Sequence, residues 1–239
     1  MGKPTAGPVC EQYTRLNFRS NIAGIVKLVN TLNLREAHMR QLKRTPFWIT
    51  IEAIYINNMN QNDFRKCDDL IFKIIKSYNP RMNAFNINGT NVKVGSCDIR
   101  LIFGLQCKKR RIDLSLGQRP VSDFIQRRAC DVSRVMYKLV KTLFLDAVSG
   151  NTRQDKEDAT NLLALYVCGK LFFSNTGEII SWAFVHYMND LKTDRMCDWT
   201  GAILTTLMGT IKEFHRTLGK VIGCVVALLY WFCEHSTVV

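Results

Sequence analysis

The closing stretch of the chain limits what the rest can fold into: Cys197 to His235 reads CDWTGAILTTLMGTIKEFHRTLGKVIGCVVALLYWFCEH. It predicts two helices, the first opening at Asp198 and the second covering Val221 to Cys233, with Gly219 near the break. The second is apolar on every side, and such a helix is normally enclosed. Its uninterrupted run holds 13 residues, closed by Lys220 and Glu234, whereas a membrane span needs roughly 20. The expectation is a buried core helix around which the upstream chain packs, and no membrane anchor.

The 239 residues, 47% of them hydrophobic, suffice for a substantial core. Charge is unevenly placed within the formal +13: residues 1–150 carry 25 basic and 11 acidic groups, residues 151–239 carry 8 and 9. This divides the chain into a loose tail over 1–20 and one helical domain over 21–239, basic over 21–150 and apolar over 151–239. A basic half suits nucleic acid, an acidic protein or anionic lipid. Nine cysteines without a secretory signal predict a reduced intracellular protein that uses Cys as a small hydrophobe on helix faces.

The spacing of Ile22, Ile25, Val26, Val29 and Leu32 predicts a helix, and a second piece runs through Leu34 to Leu42. Thr45-Pro46 predicts an N-cap with proline at the first helical position, opening a helix through FWITIEAIYI. Asn62-Asp63 opens the next, which Tyr78-Asn79-Pro80 ends. Asn88-Gly89 between short alternating runs predicts one β-hairpin near residues 85–95. Ser96 is read as the cap of a helix over Cys97 to Phe103, with Gly104 as its left-handed C-terminal residue. A basic loop crosses residues 107–121, and helices follow at about 122–148, 155–173, 178–191, 198–216 and 220–234. The fold class is mainly α, a single compact domain of about nine helices with one small hairpin.

Several landmarks, in order over roughly residues 40–235, resemble the plant mobile domain, the transposon-derived "aminotransferase-like" family, and its relatives encoded beside Ulp1-type protease genes. They are Pro46, Phe47 and Trp48; the hairpin-then-helix block with Phe85, Asp98, Gly104 and Leu105; Leu162 to Phe173; and Trp199, Gly223 and Trp231 in the closing block. The resemblance implies a non-enzymatic nuclear protein acting in transposon silencing, gene regulation or genome maintenance, with a phosphatase-like protein partner. Against that pattern this chain stops just after His235 where many relatives continue, so the expectation is a minimal or truncated copy.

Lys108-Lys109-Arg110-Arg111 is the densest basic run, with Arg119, Arg127 and Arg128 close behind. It reads as a nuclear import signal, a phosphate-contacting patch or a solvated loop. His38, His186, His215 and His235 are scattered, and Cys224 and Cys233 fall on opposite faces of one predicted helix, so no metal site is expected. No Cys sits in a protease-like arrangement with His and Asp, and neither a catalytic residue, a cofactor nor a small-molecule substrate is expected. Asp155, Glu157 and Asp158 read as carboxylates favoured by a helix N-terminus. The leading expectation is a nuclear protein-interaction module. The alternatives are a basic nucleic-acid-binding protein of a mobile element, and a cytoplasmic location.

Overall fold

The computed structural model describes residues 18, 20–32, 34–56, 59–60, 64, 67–189, 195–218 and 220–236. Asn62, Asp63 and Gly219, and most of the tail expected at 1–20, lie outside them. Phe18 and Ser20 are already buried, and the Ser20 hydroxyl donates to the Leu171 carbonyl at 3.0 Å. The chain therefore joins the core before residue 21.

Eleven α-helices occur among the described residues, in the order α1 (Ile22–Asn30), α2 (Glu36–Leu42), α3 (Trp48–Ile56), α4 (Asp68–Lys76), α5 (Ser96–Phe103), α6 (Asp123–Ala129), α7 (Tyr137–Ser149), α8 (Arg153–Val167), α9 (Trp182–Met188), α10 (Trp199–Phe214) and α11 (Val226–His235). The strands are β1 (Tyr78–Asn79), β2 (Ala84–Ile87), β3 (Thr90–Val92), β4 (Val135–Met136) and β5 (Ile179–Ile180). The expected hairpin is β2–β3, pairing Phe85 with Val92, and Asn88 and Gly89 take the positive φ that its turn demands. Two things exceed the expectation of one hairpin. Tyr78–Asn79 adds a third antiparallel strand, and β4 pairs with β5 as a second small sheet.

The most enclosed element is α8, not the C-terminal helix. Ten consecutive residues, Asp158 to Val167, are buried, and α8 packs against α7, α2 and α9 before running into a π-helical turn at Cys168–Phe172. By contrast α11 buries only Ala227, Leu228 and Trp231, facing α4 and α5. Its start is also later than the apolar pattern suggests. Gly223 takes a φ of 95°, its N–H donates to the Ser174 carbonyl at 2.8 Å, and its carbonyl accepts from the Ser174 hydroxyl at 2.7 Å. Those bonds hold Val221–Val225 outside the helix.

Other boundaries move for equally local reasons. The predicted helix over 122–148 breaks in two because Arg119 caps the first piece, donating to the carbonyls of Ala129 and Cys130, and Val135–Met136 then pairs as a strand. Residues 178–181, read as helix, hold β5 instead. Thr45 closes α2, donating to the Leu42 carbonyl at 2.8 Å, so α3 begins at Trp48 rather than Pro46. Asp68 opens α4. The cap of α5 is Gly95, whose N–H donates to the Asp98 carboxylate at 2.6 Å, and Ser96 is its first helical residue.

An aromatic junction ties the halves together. Phe47 meets Phe172 and Trp199 with ring centroids at 5.1 and 5.0 Å, and Phe103 meets Phe172 edge-on at 5.1 Å. Phe85 and Trp231 form a second contact at 5.3 Å. Such pairs add about 1 kcal/mol each beyond the area they bury.

Gly104 ends α5 at φ 65°, and a Cβ there would collide with the Ile49 side chain of α3. Gly104→Ala is expected to cost about 2 kcal/mol or more, read as a lower urea midpoint at unchanged slope. A wild-type midpoint would contradict this packing of α5 on α3.

Candidate functional site

A polar cleft of about 820 Å³ opens where α2, the segment after α5, α8 and the segment before α10 meet. Gln41 and Arg44 line it from the end of α2, and Gln106 and Lys108 from the chain leaving Gly104. Arg153, Glu157 and Asn161 line it from α8, then Asn189, Arg195 and Met196. The three residues of α8 are spaced by four, which stacks them on one face of the helix.

Among the described residues, four cations and one carboxylate therefore share the cleft. The carboxylate is engaged: Arg153 Nε lies 3.0 Å from Glu157 Oε1. Arg44 donates to Gln41 Oε1 at 3.3 Å, while Lys108 and Arg195 form no ion pair among the described residues. The remaining polar groups are carboxamides. Asn161 is only 7% exposed, and its Oδ1 is buried with no hydrogen-bond partner. An orphaned buried acceptor costs stability, and such groups are rare enough in folded proteins to need an explanation. Met196, 58% exposed, adds the one large apolar side chain.

A smaller pocket of about 150 Å³ shares Gln106 and Arg195 with the cleft. Pro46, Trp48, Gly104, Leu105 and Trp199 line it, with Lys43, whose ammonium sits 5.6 Å from the Trp48 ring centre. Five of the structural landmarks thus converge beside the cleft. Asp98 and Gly223 serve as cap and turn elsewhere.

The predicted basic residues separate into two groups. Lys108 enters the cleft, and Lys109, Arg110 and Arg111 stay exposed beyond it, anchored where the Asp198 N–H donates to the Arg110 carbonyl at 2.7 Å. Arg119, Arg127 and Arg128 are engaged by groups of the protein instead. Arg119 caps α6 and lies over the Trp182 ring at 5.9 Å. Arg127 Nη2 and Arg128 Nε each lie 2.8 Å from the Asp158 carboxylate, and Arg128 reaches Asp146 and Asp155 as well. Asp155 does cap α8, bonding Thr152, but Asp158 is the buried partner of two arginines rather than a dipole residue.

The sequence pattern passed over Arg44, Arg153, Arg195 and the four carboxamides. One signal for them existed: Asn161 directly precedes the apolar run Leu162–Val167 of α8, in register with Arg153 and Glu157. The cysteines also differ from expectation. Cys168, Cys197 and Cys224 are buried, whereas Cys67, Cys97, Cys107, Cys130 and Cys233 are exposed. Burial pushes the Cys224 thiol up to about 12. Among the described residues no group of three or more His, Cys, Asp or Glu is placed to hold a metal ion, and no helix is long and apolar enough to cross a membrane.

A family profile described as a domain of unknown function (DUF8566) matches residues 56–229. No curated protein and no solved structure matches.

Two buried groups set an acid response. Burial pushes the Asp158 carboxyl up, but the bonds from Arg127, Arg128 and Gln154 outweigh this and hold it below the usual Asp value. Its contribution is fully present above about pH 3.9 and is lost as pH falls through the lowered folded value. Burial lowers the pKa of His38, reinforced by Arg35 and Lys156, so stability also falls as pH drops below about 6.5, where the unfolded His takes up a proton first. Asp158→Asn is expected to cost about 3 kcal/mol at neutral pH and to flatten the more acidic limb of a stability–pH curve. An unchanged acid limb would contradict the clamp.

Proposed function

The chain belongs to the DUF8566 family, a domain of unknown function, and we propose that this member is a non-enzymatic binding module that holds nucleic acid in its basic cleft. The observation that carries the reading is the convergence of Arg44, Lys108, Arg153 and Arg195 on one concavity, opposed among the described residues by a single carboxylate that Arg153 already engages. Phosphate contacts by Arg and Lys supply most of the sequence-independent affinity for nucleic acid. Carboxamides beside them are the groups that pair with base edges. The +13 formal charge adds a long-range attraction that raises the association rate. The exposed run Lys109–Arg111 supports a nuclear location, because basic runs of this kind serve as import signals.

A second reading rests on a different surface. Leu101 of α5 and Ile49 of α3 are 73% and 49% exposed and border one apolar hollow with Phe64 and Tyr230. Apolar side chains gathered this way mark protein contacts, and they support the protein-interaction module that the resemblance implies.

Affinity for a labelled oligonucleotide, followed across a salt series, tests the first reading. The logarithm of the binding constant is expected to fall linearly with the logarithm of salt concentration, and Lys108→Ala and Arg195→Ala are each expected to reduce the slope by about 0.7–0.9. Binding that ignores salt, or slopes that both substitutions leave unchanged, would remove the cleft from nucleic-acid binding.

A further inference from the structure

From the arrangement of the cleft we infer that it takes an unpaired nucleotide of a single strand rather than duplex, an inference that rests on the nucleic-acid reading above. Base edges within a duplex are read by elements that protrude into a groove, typically a helix or a two-stranded ribbon. Here one group able to read a base is recessed: Asn161 lies on the wall formed by α8, 7% exposed, in a cleft of about 820 Å³, behind the half-buried Gln41 and Asn189 and the exposed Gln106. A recessed reader requires the base to leave its stack and come to it, as single-stranded and flipped bases do.

The chemistry of the lining fits such a unit. The cleft volume lies within the roughly 300–1,000 Å³ that encloses small-molecule ligands. Lys108 and Arg195, without ion pairs among the described residues, are available to the phosphate. The exposed thioether of Met196 offers an apolar, polarisable surface to a base face. The orphaned Oδ1 of Asn161 is an acceptor, and a phosphodiester carries no donor to satisfy it. A base edge carries such donors, and the Asn161 carboxamide, which lines the cleft, offers it both a donor and an acceptor. A ligand that supplies both anion and donor thus completes the site, whereas phosphate alone leaves the acceptor unmatched.

The test compares the full chain with its Asn161→Leu and Met196→Ala variants. Each is measured by fluorescence anisotropy against a mixed-sequence single-stranded oligonucleotide and a hairpin duplex of equal charge whose loop is a non-nucleotide linker. The wild type is expected to prefer the single strand by about tenfold or more, the scale of one base held on a side-chain surface. Asn161→Leu is expected to abolish that preference, bringing single-strand affinity down to the level of the duplex. It is also expected to raise the thermal midpoint, because the unpartnered buried amide is gone. Met196→Ala, at an exposed position, should weaken single-strand binding with no change in midpoint. Equal affinity for the two oligonucleotides, or a preference surviving both substitutions, would overturn the inference and leave the nucleic-acid reading standing. Failure of both oligonucleotides to bind would overturn that reading itself.

Discussion

The fold depends on neutralising one charge. Asp158 has no exposed surface in the most enclosed helix of the molecule, and a lone buried carboxylate would cost several kcal/mol. Arg127 and Arg128 of α6, with Gln154 one turn earlier on α8, occupy its two oxygens. Arg128 goes on to Asp155 and Asp146, so one guanidinium fastens α6 to both α7 and α8. With this clamp in place α8 can sit at the centre, and the Phe47, Phe172 and Trp199 rings can close over its far end.

The same helix presents a second polar line. Arg153, Glu157 and Asn161 follow one another every four residues on α8 and look into the cleft, while Asp155 and Asp158 engage α6. A helix locked by ion pairs on one side is a rigid support for binding groups on the other, and rigid support is what a preorganised site requires. The segment leaving α5 is tethered as well. Gly104 lets α5 end against α3, which delivers Gln106 and Lys108, and the Arg110–Cys197 bridge holds their strand beside Met196.

Much of the local structure was legible in the sequence. Asn88-Gly89 gave the hairpin turn and Gly104 the left-handed cap, because each rests on a φ that few residues adopt. Asp198 capped its helix as read, accepting from the Gly201 N–H at 3.0 Å. What failed were readings that depended on distant partners. The apolar run Val221–Cys233 gave no hint that Ser174 would hold Gly223 out of the helix, nor that one side of α11 would stay half-exposed. Net charge misled in a similar way. The segment over 151–239, with one more acidic than basic group, supplies two of the four described cleft cations, while Arg127 and Arg128 of the basic part are consumed internally. Charge summed along a sequence cannot distinguish a cation facing solvent from one facing a buried carboxylate.

The most direct test of the central claim is to see where nucleic acid lands. An isotope-labelled chain titrated with a single-stranded oligonucleotide would be followed through its backbone amides and its Asn and Gln side-chain amides. Saturable shifts are expected, centred on Gln41, Arg44, Gln106, Lys108, Asn161 and Arg195, with Leu101 and Ile49 unmoved. Shifts scattered over exposed lysines without saturation, or gathered on the α3–α5 hollow instead, would contradict it.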